Sequence, residues 1–147
     1  NVQGLNVTHA AYTLTTSYAV PDDGFHVCFV APTSGIVEIE VQFYYDLNTS
    51  FGTALSIGLS DAATYNAVET YYEQLVGDPD ENDDLGITHK WVVPGLTPGT
   101  SYKYWMGAKV LSTSGTPKID WGGNASGRFK DFIMKATALP SNTEIET

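Results

Sequence analysis

The segment Ile36 to Tyr45 constrains this chain more than any other. Val37, Ile39, Val41, Phe43 and Tyr45 fall on one parity, and Ile36, Glu38, Glu40, Gln42 and Tyr44 fall on the other. Successive side chains of a strand point to opposite faces, so five apolar residues at period two commit one face to a core. Glu38 and Glu40 then point to water.

Neighbouring segments repeat the signal. In Phe25 to Val30, the residues Phe25, Val27 and Phe29 alternate with His26, Cys28 and Val30. Both parities are fairly apolar, which predicts a strand covered on both sides, with Cys28 a buried thiol. Pro32-Thr33-Ser34-Gly35 is a turn, so Phe25 to Tyr45 reads as a hairpin. Further strands are expected at Ala11 to Val20, Leu55 to Ser60 (half-buried), Ile87 to Val93, Tyr102 to Val110, around Ile119 and Trp121, and at Phe129 to Leu139. Asp61 to Val76 carries two patterns. Val68, Tyr71, Tyr72 and Leu75 fit helical spacing, whereas the tyrosines and the all-β surroundings favour a strand, which is the reading adopted.

About eight strands without an interior linker predict one domain over residues 1–140, followed by a polar tail, 141–147. Seventeen acidic residues against seven Lys and Arg give a net charge of −10, which leaves no basic face for nucleic acid. The 42% hydrophobic fraction supplies a core and excludes a disordered acidic tail. No apolar run approaches the roughly 20 residues of a membrane span, so no membrane insertion is expected. Asn1 to Ala10 lacks the basic start and apolar stretch of a secretion signal, as in a mature product or an excised domain.

Chemistry-bearing motifs are sparse. A single cysteine excludes an intrachain disulfide and a Cys-based zinc site. His9, His26 and His89 lie far apart and match no ligand or catalytic spacing, and no G-x-S-x-G or phosphate loop occurs. A non-enzymatic protein without a catalytic residue or resident cofactor is therefore expected. The acidic loop 78–84 is one candidate cation site. Asp78, Asp80 and Asn82 alternate like the opening of a calcium loop, but Asp83 replaces its glycine and His89 its closing glutamate. A solvated loop is the preferred reading. The candidate ligand site is the glycine-rich stretch Trp121 to Arg128. Trp121 offers a flat stacking face, while Asn124, Ser126 and Arg128 offer bonds to sugar hydroxyls or an anionic sugar. The preferred reading is nevertheless that Trp121 plugs the end of the sandwich and the glycines serve turns. Asn6, Asn48 and Asn124 open N-x-S/T sequons, a weak sign of secretion.

Two motifs carry a resemblance. In Gly95-Leu96-Thr97-Pro98-Gly99-Thr100-Ser101-Tyr102, Leu96 plugs the core, Pro98-Gly99 turns the chain, and the Tyr102 hydroxyl bonds back to upstream backbone. This resembles the tyrosine corner of fibronectin type III modules. The run Phe29 to Val41, with Ala31-Pro32-Thr33-Ser34-Gly35 at its centre, is similar to the jelly-roll heads of complement-type and tumour-necrosis-factor-like globular domains. It also resembles tail-fibre and appendage proteins of tailed bacteriophages, as do Gly95 to Lys109, Trp121 to Gly127 and Phe132 to Pro140. The expected fold is thus an all-β, two-sheet antiparallel sandwich, jelly-roll-like, with a fibronectin type III or immunoglobulin-like Greek key as the alternative. The resemblance implies a homotrimeric virion head that attaches to a glycan or receptor on a host surface. A monomeric carbohydrate-binding or adhesion module of a secreted bacterial protein is the other reading. Ile36 and Tyr44, apolar residues on the outward parity, are candidates for a subunit seam, as is one of the adjacent pair Tyr71 and Tyr72.

Overall fold

The computed structural model describes residues 1–47, 53–77, 85–124 and 127–146. Eleven strands occur among them: β1 (Val2–Gln3), β2 (Ala10–Thr13), β3 (His26–Val30), β4 (Val37–Asp46), β5 (Leu55–Ser60), β6 (Gln74–Gly77), β7 (Leu85–Val93), β8 (Ser101–Val110), β9 (Lys118–Asn124), β10 (Gly127–Phe129) and β11 (Phe132–Ala138). They form two antiparallel sheets that pack face to face. One has the order β1-β11-β4-β9-β10, with β7 on the free edge of β4 and β2 on β9; the other has the order β3-β8-β5-β6.

The pairing is nested. β5 pairs with β6, β4 with β7, β3 with β8 and β1 with β11. The chain therefore runs as one long folded-back ribbon, rolled so that β5 also meets β8 and β4 also meets β11. That wiring makes the sandwich a jelly roll. In an immunoglobulin-like key, by contrast, consecutive strands share a sheet. Here β3, β4 and β5 alternate between sheets.

β4 behaves as its sequence predicts. Its burial alternates strictly, with Val37, Ile39, Val41, Phe43 and Tyr45 inside. It pairs with β7 along residues 37–45, and on its other edge with β11 and then β9. Its inner face meets Leu55, Ile57 and Leu59 of β5 and Met106 of β8 in one core. Phe25 lies on Phe132 with ring centroids 3.8 Å apart, and Trp121 closes edge-on at 4.8 Å. Each such side chain contributes roughly 1.5–3 kcal/mol by leaving water.

The tyrosine corner forms as expected. The backbone N–H of Thr97 donates to the Tyr102 hydroxyl at 2.9 Å, and Leu96 is buried. The corner is where β7 leaves one sheet and β8 enters the other. Beside it runs the second crossover, Pro32 to Gly35. Because β3 pairs with β8 and β4 with β7, the two crossovers must lie side by side. They bond directly: Leu96 N–H to the Gly35 carbonyl at 3.0 Å, Gly99 N–H to the Ala31 carbonyl at 2.9 Å, and Ala31 N–H to the Thr100 carbonyl at 2.9 Å. Gly35 has φ +68° and abuts the Leu96 carbonyl, so only glycine fits there.

This wiring corrects the hairpin expected from Phe25 to Tyr45, since β3 and β4 lie in different sheets. The four-residue turn carries the chain across the sandwich instead of back along it. The expected strand Ala11 to Val20 is also a crossover. Only Ala10–Thr13 is strand; Leu14 then dives into the core and Ala19 bonds to Ala108 of the other sheet. Asp61 to Val76 is neither one helix nor one strand: it holds a single 3-10 turn, Thr70–Tyr72, before β6. The last strand divides at Lys130-Asp131, which turns Phe129 outward and Phe132 inward. Cys28 is exposed, because the outer face of β3 is left bare. β5, expected to be half-buried, is buried on both faces.

Candidate functional site

Of the candidate ligand residues around the end of β9, Trp121 and Arg128 have other occupations. Trp121 is 4% exposed and faces the core against Phe25, so it offers no stacking surface. It shares the inward parity of β9 with Ile119, and this parity decides the matter. The Arg128 guanidinium donates to the Gly4 carbonyl and to Asp131 at 3.0 Å, tying the β10 hairpin to the first residues of the chain. The side chain of Asn124, the whole of Ser126 and the acidic loop 78–84 lie outside the described residues. Among the described residues, no three His, Cys, Asp or Glu side chains gather as a metal site.

On the outer face beside Trp121 is a pair that sequence reading missed. Asp120 is 2% exposed, and its Oδ1 lies 2.5 Å from His9 Nε2. The β2–β9 register, which places Ala11 against Asp120, brings together residues 111 apart in sequence. No local spacing could have signalled it. The His9 ring packs on Phe129 at 4.8 Å, and Phe129 on Tyr44 at 5.1 Å. An Asp–His pair orients an imidazole for proton transfer only where a reacting group stands beside it. Here the imidazole meets a phenyl ring, and Cys28 lies on the far side of the sandwich. The pair reads as a fastener between β2 and β9. Tyr44, half-buried under Phe129, and Ile36, 8% exposed, are likewise not the bare outward apolar groups expected of a seam.

A groove of about 510 Å³ opens at the other edge, between the Thr70–Tyr72 turn, β7 and the C-terminal residues Ile145 and Glu146. Its construction follows from Tyr72. The Trp91 indole N–H donates to the Tyr72 carbonyl at 2.9 Å, and the Tyr72 hydroxyl donates to the Val92 carbonyl at 3.3 Å. Burial, and next the neighbouring Tyr71, push the Tyr72 phenol well above its usual pKa, so it stays a neutral donor. With Tyr72 pinned to β7, its neighbour must point outward: Tyr71 is 64% exposed, its ring edge-on to Tyr72 at 4.7 Å. Around it stand Gln74, whose amide N–H donates to the Tyr71 carbonyl at 3.2 Å, Glu146, and Lys90. Lys90 bridges Glu40 at 3.5 Å and Glu38 at 3.9 Å. Val92 and Ile145 add further exposed apolar surface. The sequence offered one clue to this site, the adjacent tyrosines.

Inside the same edge lies His89, on the inward parity of β7 and 4.8 Å from Trp91. Its Nε2 is buried without a hydrogen-bond partner, and burial lowers its pKa below 6.5.

No protein-family model, curated protein or solved structure matches the chain.

Proposed function

We propose that the chain is a non-enzymatic attachment domain: the homotrimeric head of a phage tail fibre or appendage that holds a virion to its host surface. The observation that carries this reading is the crossover at Ala31 to Gly35. The residues that resemble phage and complement-type heads sit at a sheet-to-sheet crossing of a jelly roll, clamped by the tyrosine corner. A frame so pinned presents its loops with little deformation, which suits surface attachment. Threefold repetition would let weak contacts add through avidity. The net charge of −10 opposes indiscriminate adhesion to anionic envelopes.

Solution mass tests the reading. Three copies of 15.9 kDa make a particle of ~48 kDa, the expected result by light scattering. A species of 15.9 kDa at micromolar concentration would favour the second reading, a monomeric carbohydrate-binding or adhesion module of a secreted protein. The exposed Tyr71 beside an open groove is the observation that favours this alternative.

A further inference from the structure

We propose that the groove beside Tyr71 binds an uncharged sugar unit, with the Tyr71 ring as its stacking platform. The inference deepens the attachment reading and rests on it.

Size and composition point the same way. A volume of about 510 Å³ falls within the range of small-ligand sites and admits a short oligosaccharide. Tyr71 keeps 64% of its surface in solvent, held out over the groove by the bonds of Tyr72 to β7. An aromatic face meets the C–H face of a pyranose and loses water there. The surrounding polar groups differ in kind: the Gln74 amide oxygen and the Glu146 carboxylate accept, and the Lys90 ammonium donates. A polyol needs that mixture, because each hydroxyl is both donor and acceptor.

Other occupants fit less well. An anionic sugar would meet Glu146 on a chain of net charge −10, and the charge of Lys90 is already balanced by Glu38 and Glu40, though a third N–H remains for a hydroxyl. An extended peptide adding a strand to β7 would have to share the Val92 carbonyl with the Tyr72 hydroxyl and pass the Tyr72 ring. A wholly apolar ligand would strip water from Gln74, Lys90 and Glu146 without replacing their bonds.

The test applies the 147-residue chain to an array of neutral hexose and hexosamine oligosaccharides, with uronic-acid and sialylated ones alongside. Titration calorimetry then follows any hit. Binding to a neutral glycan is expected. Tyr71→Ala should weaken it at least about tenfold at an unchanged melting temperature, Tyr71→Trp should preserve it, and Arg128→Ala should leave it alone. A hit confined to anionic glycans overturns the proposal. So does Tyr71→Lys dissociating an oligomer without touching glycan affinity, which would make the groove a subunit seam. A neutral hit indifferent to Tyr71→Ala removes the groove but leaves the attachment reading standing. No glycan binding at all, together with a mass of 15.9 kDa, removes both.

Discussion

Tyr65 and Tyr71 lie six residues apart in the connection between β5 and β6, yet they meet opposite fates. Tyr65 packs down on the outer face of the second sheet. There Gly58 of β5 and Gly107 of β8 are direct cross-strand partners, and a Cβ on either would collide with the tyrosine. Tyr18 stacks on its other side at 5.0 Å and bonds Ser56 Oγ at 2.5 Å, while Lys109 stands over the Tyr18 ring at 4.8 Å. Two glycines thus make a slot, and an aromatic ring fills it. Tyr71 has no such slot. Its neighbour Tyr72 takes the bonds to β7, and Tyr71 is left at a groove. An aromatic side chain with a built floor serves the fold, whereas one held out by its neighbour's contacts is free for a partner.

This contrast sets the largest expected difference. Tyr65→Ala should cost about 2–3 kcal/mol of stability in urea unfolding, because it empties the slot and bares the outer face of β5. Tyr71→Ala should cost less than about 0.5 kcal/mol, as at an ordinary exposed site. Equal losses would mean that Tyr71 is structural, and the groove would lose its claim to function.

The floor can be tested from the other side. Gly107→Ala puts a methyl group where the Tyr65 ring lies, and should cost about 1–2 kcal/mol. In a Tyr65→Ala background the same change should cost far less, so a double-mutant cycle should show strong coupling. Additive effects would show that the strain comes from the β8 backbone and not from the ring.

How much of this was legible depends on the range of each interaction. The inner face of β4 was readable because alternation is local to ten residues. The tyrosine corner was readable because Thr97 and Tyr102 are five apart. Tyr102→Phe removes that hydroxyl alone and should cost about 1 kcal/mol by thermal melting. Sheet membership was not legible: Pro32-Thr33-Ser34-Gly35 suits a hairpin as well as a crossover, and only the pairing of β3 with β8 decides. Cys28 misled for the same reason. Its apolar neighbours suggested cover, but the Tyr65 connection lies over β5 and β8 and leaves the outer face of β3 open. Which of its two open roles Trp121 takes, and which of Tyr71 and Tyr72 leaves the core, depended on strand parity and on distant partners. The glycine-rich setting left Trp121 open to a stacking role, and its inward parity on β9 decides for the preferred reading, a plug in the core.

His89 lies on the inner face of β7, behind the strand that floors the Tyr71 groove. Burial disfavours the imidazolium, so its folded pKa lies below the ordinary 6.5 of the unfolded chain. Well above 6.5 neither state holds the proton, and His89 leaves stability independent of pH. As the pH falls below 6.5 the unfolded chain takes up the proton first. Unfolding is then favoured, and stability declines until the lower folded value is reached. His89→Leu keeps an apolar group beside Trp91 and cannot titrate. Wild type should therefore lose stability relative to His89→Leu on acidification from pH 7, with His9, His26 and the carboxylates cancelling in the difference. Parallel curves would mean that water reaches Nε2 through the groove. The Tyr71 edge would then be as open inside as it is outside, whereas the Tyr65 face is closed by its ring.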